Sequence, residues 1–232
     1  MIDAIILAGG LGTRLQAAVP LLPKALAPIQ GTPFLQILID QLNRFPLLSK
    51  KILALGHKAE KIVDFAKNDP SLEVSIEDKP LGTGGAILLS LQKSEASTVL
   101  VINGDTFFDL DFSAFYAWHR EKKASVTLAC RYESKDASRY GSLVIDDSKK
   151  IVGFEEKKDA SKYGLVSGGI YLIEKRMFDP FVLGNCYSLE KDFFPFFINQ
   201  DMFAFPSSAD FIDIGTLESY KEAQSILQSR IP

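Results

Sequence analysis

A chain of 232 residues, 47% hydrophobic and 24% charged, is long enough to bury one substantial α/β core and has the make-up of a soluble enzyme. Its net charge of −3 excludes the clustered basic surface that nucleic-acid binding requires, and two cysteines, Cys130 and Cys186, without CxxC spacing exclude a disulfide framework or zinc ribbon. The first apolar run is too short to span a bilayer and no basic leader precedes it, so the expectation is a cytoplasmic protein with neither membrane nor nucleic acid as partner.

Ile2 to Leu7 reads as a buried strand that opens into Leu7-Ala-Gly-Gly-Leu-Gly-Thr-Arg-Leu15. Such a loop is built to hold a polyphosphate: Gly9, Gly10 and Gly12 bring backbone N–H groups close to phosphate oxygens, and Arg14 adds a cationic fork. It is neither a P-loop, which ends in Gly-Lys-Ser/Thr, nor a dinucleotide fingerprint, which needs a small residue where Leu15 stands. Pro23-Lys24 brings a second cation.

Strands at Lys51 to Leu55, Leu72 to Ile76 and Thr98 to Ile102 alternate with helical patterns near 34–45, 58–67 and 84–92. That alternation predicts a parallel sheet with crossover helices. The run Thr98 to Ile102 ends in Asn103-Gly104-Asp105, a carboxylate at the carboxyl end of a central strand, where open α/β sheets bind ligands. Asp109 is predicted to sit in a turn and Asp111 to cap a helix bearing Phe112, Phe115 and Tyr116.

The second half is strand-rich, with runs at Ser125 to Cys130, Ser142 to Ile145, Ile151 to Phe154 and Ser167 to Ile173. A helix near 189–199, strands about Met202 to Phe205 and Asp210 to Ile212, and a helix opened by Thr216 complete the pattern. Asp213 follows the last strand. Two aspartates at strand ends suit Mg²⁺, which takes one or two protein carboxylates and fills its octahedron with phosphate oxygens and water. His57 and His119 are predicted to be structural or exposed, and Trp118 and the seventeen phenylalanines to be core. No linker or repeat divides the chain, which predicts a single domain of two halves, about 1–113 and about 114–232.

The opening Gly-Gly-Leu-Gly-Thr-Arg-Leu with its downstream Pro-Lys resembles the sugar-1-phosphate nucleotidyltransferases. The resemblance runs from Leu7 to the Thr216 helix and implies a Rossmann-like three-layer α/β fold, GT-A-like, around a mostly parallel mixed sheet. It also implies an enzyme that joins an NTP to a sugar 1-phosphate and releases pyrophosphate. The nucleotide would lie against Leu7, Ala8, Gly9, Gly10, Gly12, Thr13, Arg14, Asn103 and Gly104, with Lys24 assisting Arg14 at the departing pyrophosphate. Metal ligation would fall to Asp105 and Asp213. Glu77-Asp-Lys-Pro-Leu-Gly-Thr-Gly-Gly-Ala86 resembles the family's base-recognition loop, with Glu77, Pro80, Gly82 and Thr83 at the base and glycines that let the chain pass close to it. Phe154-Glu155-Glu156-Lys157 resembles its sugar segment, with Glu156 on hydroxyls and Lys157 on the phosphate. Tyr140-Gly141, Ser167-Gly168-Gly169 and Ser188-Leu-Glu190 match further sugar-side stretches, Ser167 and Gly168 replacing the commoner Asn-Ala.

The Glu77 carboxylate matches the N1–H and exocyclic amine of guanine, whereas uracil offers one N3–H, which leans toward GTP; a solvent-facing Glu77 is the alternative reading. Within the family the likeness is to the D-glycero-D-manno-heptose 1-phosphate guanylyltransferases, with mannose-1-phosphate guanylyltransferases and N-acetylmuramate 1-phosphate uridylyltransferases as near alternatives. A nucleotide-sugar sensor is the non-catalytic alternative, disfavoured by the presence of Arg14, Lys24 and both aspartates. A monomer or simple homodimer is expected.

Overall fold

The computed structural model describes residues 1–10, 14–15, 19–56, 58–133, 142–155 and 164–231. Strand β1 (Ile2–Leu7) is almost wholly apolar because both its faces are covered: Ile2, Ala4 and Ile6 join one core and Ile5 the other. A small ladder of β2 (Pro28–Ile29) and β3 (Thr32–Pro33) leads into α1 (Phe34–Leu42). Then come β4 (Leu48–Leu55), α2 (Ala59–Ala66), β5 (Leu72–Ile76), α3 (Gly82–Ser90) and β6 (Thr98–Asn103). β4 and β6 flank β1 in parallel and β5 lies parallel outside β4, the arrangement the strand–helix alternation predicts.

After a short strand β7 (Thr106–Phe108), helix α4 (Phe112–Glu121) starts at Asp111, whose carboxylate accepts the N–H groups of Ser113 and Ala114 as an N-cap. The chain continues through β8 (Val126–Glu133), β9 (Ser142–Ile145), β10 (Ile151–Glu155), β11 (Gly164–Glu174), a short α5 (Phe194–Phe196) and β12 (Met202–Pro206). β11 runs antiparallel to β6, β8 and β9, so among the described residues one nine-stranded mixed sheet passes through both halves of the chain. Finally β13 (Phe211–Asp213) pairs antiparallel with β7, off the main sheet, and α6 (Leu217–Ile226) opens on a capping box between Thr216 and Ser219. Helices α1, α2, α4 and α6 cover one face through residues such as Phe34, Ile62, Phe115 and Ala223; Ile87 of α3 and the Phe193–Phe194 pair cover the other.

Three expectations need correction. The predicted helix over 189–199 is a π-helical turn at Leu189–Phe193 followed by one turn of α-helix, because Pro195 cannot donate to a ladder and Asn199 takes φ 64°. Phe196 is 58% exposed rather than core. Trp118 is only half-buried, with the Lys122 ammonium 4.7 Å above its ring.

Candidate active site

Parallel pairing aligns the carboxyl ends of four strands. Leu7 stands opposite both Asn103 and Ala54, and Leu55 opposite Ile76. The chain leaves this row in register: the Ala8 N–H donates to Ala54 O, the Gly104 N–H to Leu7 O and the Glu77 N–H to Leu55 O, at 2.9–3.0 Å. Above the row opens a cavity of about 400 Å³. Its wall includes Leu7, Ala8, Gly9, Gly10, Glu77, Pro80, Gly82, Thr83, Asn103 and Gly104, with Lys24, Asp105 and Glu190. Residues spread over most of the sequence thus meet because they end neighbouring strands or answer them from a loop.

Glu77 is half-buried, and its Oε2 accepts the N–H of Leu81 at 2.9 Å, which ties the loop 78–81 to the end of β5. The glycines that follow serve a purpose the sequence alone does not reveal. A Cβ at Gly82 would stand 2.4 Å from the Tyr187 carbonyl oxygen, one at Gly84 2.2 Å from the Tyr187 ring, and one at Gly85 2.6 Å from Asn185 O. They make room for the segment 185–190, which is stitched down by Gly84 N–H to Tyr187 O and Tyr187 N–H to Leu81 O, both 3.0 Å. Thr83 extends the stitching: its hydroxyl accepts the Leu189 N–H at 2.8 Å and donates to Glu190 Oε2 at 3.3 Å, and the Ser188 hydroxyl donates to the same oxygen at 2.8 Å. Glu190 is thereby held at the cavity wall.

Across the cavity, Lys24 begins a single 3₁₀ turn after Pro23, and its Nζ lies 2.5 Å from Asp105 Oδ2, with side-chain exposures of 16% and 40%. Asp213, at the end of β13, pairs with Thr106 of β7, and the Ile214 N–H donates to Asp105 O at 2.9 Å. The two aspartates, 108 positions apart in sequence, thus lie at adjoining ends of a strand pair, Asp105 just before β7 and Asp213 closing β13. Asp213 Oδ1 accepts the Gly215 N–H at 2.8 Å, and a Cβ on Gly215 would stand 2.6 Å from that oxygen and 3.3 Å from Lys24 Nζ. The Lys24 ammonium and the Asp213 carboxylate therefore meet at Gly215, and the Asp105 carboxylate is paired with the same ammonium. Two carboxylates brought to the adjoining ends of paired strands, Asp105 of them on the cavity wall, are the hard oxygen donors that suit a magnesium ion, which completes its shell from phosphate and water; the described residues hold no group of three or more His, Cys, Asp or Glu that would form an all-protein cage.

Other predicted positions lie elsewhere. Arg14 is exposed and is not part of the cavity wall. Ser167, Gly168 and Gly169 do not line it either: they form a bulge in β11, where a Cβ at Gly168 would meet the Phe108 ring at 2.5 Å and Gly169, at φ 71°, packs on Asn103. Ser167 instead donates to the Tyr171 hydroxyl at 3.3 Å. Burial, and then the Glu190 carboxylate, push that phenol far above its ordinary value and keep it neutral. Gly12, Thr13, His57, Tyr140, Gly141, Glu156 and Lys157 lie outside the described residues. His119 is buried, hydrogen-bonded to Thr127 Oγ1 at 2.7 Å and Glu174 Oε1 at 3.2 Å, in keeping with a structural role. Missed by the sequence reading are Ala25, Ala54, Leu55 and Ala86, which supply apolar wall, and Tyr187, the wedge under the glycine loop. Three glycines at 82, 84 and 85 were the signal for such a wedge.

The family profile for nucleotidyl transferases matches residues 3–230. The chain belongs to the nucleotidyl transferase family. It is 40% identical, over 99% of its length and 100% of the relative's, to the D-glycero-alpha-D-manno-heptose 1-phosphate guanylyltransferase of Aneurinibacillus thermoaerophilus. Against the enzyme of that name from Campylobacter jejuni it is 38% identical, over 94% of this chain and 96% of that one. Among solved structures, HddC from Yersinia pseudotuberculosis superposes with a TM-score of 0.86 at 35% identity, covering 98% of this chain and 100% of that one; its complex with GMP-PN gives 0.82 with the same coverage. Fold class and family, expected from the glycine loop and the strand-end aspartates, are those of these relatives. No helix among the described residues is long and apolar enough to cross a membrane.

Proposed function

We propose that the protein transfers the guanylyl group of GTP to a sugar 1-phosphate, D-glycero-α-D-manno-heptose 1-phosphate, giving the GDP-sugar and pyrophosphate. The observation that carries this reading is the single cavity in which the Gly9–Gly10 backbone, the Glu77 carboxylate and the Lys24–Asp105 pair face one another. Near-full-length identity to two heptose 1-phosphate guanylyltransferases, and the GMP-PN complex of HddC, support the base and the sugar.

A sugar phosphate whose second pKa is about 6 is largely a dianion at neutral pH and attacks the α-phosphorus without a general base. The protein's work is to bring two polyanions together and in line. The Gly9 and Gly10 backbone receives the triphosphate, Lys24 and Arg14 offset charge on the departing pyrophosphate, and Glu77 orients the base. Glu190, fixed by Thr83 and Ser188, meets sugar hydroxyls together with Glu156, and Lys157 holds the sugar phosphate. Asp105 and Asp213 would hold Mg²⁺, which when bound neutralises phosphate charge. We place the enzyme in the cytoplasm as a monomer or homodimer.

Pyrophosphate release measured for GTP, UTP, dTTP and ATP against heptose, mannose, glucose and N-acetylmuramate 1-phosphates tests the reading. Highest kcat/KM for GTP with the heptose phosphate is expected. Turnover confined to another base or sugar reassigns the substrates, and absence of pyrophosphate release from every pair refutes catalysis.

A further inference from the structure

We infer that Gly56 is a specificity-determining position of this enzyme: the absence of a side chain there seats the carboxylate of Glu77 that reads the base. This rests on the proposed role of Glu77 and adds the device that fixes its geometry.

Parallel pairing sets Leu55 of β4 opposite Ile76 of β5, so Gly56 and Glu77 are the next residues out on neighbouring strands. A Cβ built on Gly56 would stand 2.5 Å from Glu77 Oε1 and 3.3 Å from its Cδ. The other oxygen, Oε2, is tied to the Leu81 N–H at 2.9 Å. The carboxylate is thus tied at one oxygen, and its other oxygen occupies space that a Cβ on residue 56 would need. With one oxygen tethered, a methyl group beneath the other has one outlet, which is to rotate Oε1 out of its place.

Chemistry separates this glycine from its neighbours. A Cβ on Gly9 would meet the backbone, Gly56 N at 2.9 Å and Leu55 C at 3.2 Å, and one on Gly104 would meet Leu7 O at 2.7 Å. Those substitutions strain the strand ends themselves. At Gly56 the collision is with the far end of a flexible side chain, the nearest backbone atom, Gly9 O, is 3.2 Å away, and φ is not positive. Substitution there asks the Gly9 carbonyl to give by only a few tenths of an ångström and the Glu77 carboxylate by far more. To reach an ordinary 3.4 Å contact, Oε1 must retreat by about 0.9 Å from the 2.5 Å of the ideal position, enough to break a hydrogen bond of normal length.

The test compares wild type, Gly56→Ala, Glu77→Gln, Glu77→Asp and the Gly56→Ala/Glu77→Asp double variant, using kcat/KM for GTP and ITP. Hypoxanthine keeps the N1–H and lacks the 2-amino group, so the GTP:ITP ratio reports the second contact of the carboxylate. Gly56→Ala is expected to melt like wild type and to lose roughly 10- to 100-fold in kcat/KM for GTP, chiefly through KM, with the GTP:ITP ratio falling toward one. In the Glu77→Asp background, where the shorter acid no longer overlies residue 56, the same change is expected to cost less than about threefold. If Glu77→Gln leaves nucleotide selectivity intact, the assignment of Glu77 and this inference fall together. If Glu77→Gln collapses selectivity while Gly56→Ala preserves it, Glu77 stands and Gly56 is refuted. An equal loss in both backgrounds, or a Gly56→Ala protein that does not fold, also overturns the inference, because either places the damage in the backbone rather than in the carboxylate.

Discussion

Replacing the Glu77 carboxylate by the isosteric amide, Glu77→Gln, tests base selection with little change in shape. Because the Leu81 N–H donates to Oε2 at 2.9 Å, the amide must keep its one oxygen on that side, and its NH₂ then takes the place of Oε1 above Gly56. Guanine presents two donors, N1–H and the 2-amino group, so the variant sets a donor against a donor and loses one charge-assisted bond, about 1.5–3 kcal/mol or roughly 10- to 100-fold in kcat/KM. Uracil carries N3–H flanked by carbonyls, and an amide offers it one acceptor and one donor. A neutral hydrogen bond is worth about 0.5–1.5 kcal/mol, so UTP should gain roughly 2- to 10-fold. Together the GTP:UTP ratio should fall by about one to three orders of magnitude. Pyrophosphate release under saturating sugar 1-phosphate gives both constants directly. A ratio within about threefold of wild type in a folded variant would refute the reasoning, because it would mean that the base never reaches Glu77.

Three further outcomes follow from other parts of the site and core. Asp105→Asn and Asp213→Asn should each lower kcat by at least about a thousandfold with the melting temperature nearly unchanged, and chelation of Mg²⁺ should do the same reversibly in wild type; a variant retaining a tenth of wild-type activity would remove its residue from the ligand set. Gly84→Ala should destabilise the protein by about 1–3 kcal/mol in chemical denaturation, since its Cβ would lie 2.2 Å from the Tyr187 ring, itself stacked on Phe181 at 4.8 Å. His119 is held below the ordinary histidine value, chiefly by burial, against the opposing pull of Glu174. The unfolded chain therefore binds the proton first. Its contribution to stability is whole above about pH 6.5 and is lost as pH falls from there through the folded-state value, and His119→Gln should flatten that part of the stability–pH curve measured by urea unfolding.

What the sequence revealed, and what it hid, divides along physical lines. Strands β1, β5 and β9 were legible to the residue because their limits are set by local apolar runs ending in glycine or polar residues. Asp111 and Thr216 were legible as caps because capping is a local hydrogen bond. The segment after Ser188 was not, since a π-helical turn there depends on the Thr83 hydroxyl and the Gly84 N–H more than a hundred positions away. Glycines show the division most plainly. A glycine in a sequence says that a side chain is unwelcome and does not say which neighbour refuses it. At Gly82 and Gly84 the protein neighbour is Tyr187; at Gly168 it is Phe108; at Gly215 and Gly56 it is the carboxylate of Asp213 or Glu77.

That last pair suggests how the site is built. The acidic side chains in and beside the cavity are each held by a backbone N–H or a hydroxyl: Glu77 by Leu81, Asp105 by Thr106, Glu190 by Thr83 and Ser188, and Asp213, beside Lys24, by Gly215. Two of them also lie where a Cβ on a neighbouring glycine would collide with them. A carboxylate fixed in this way loses little side-chain freedom when ligand arrives, so more of each contact's energy remains for discrimination. Loosening one fixing contact should therefore cost selectivity before it costs stability, whereas the glycines that contact backbone should behave in the opposite order.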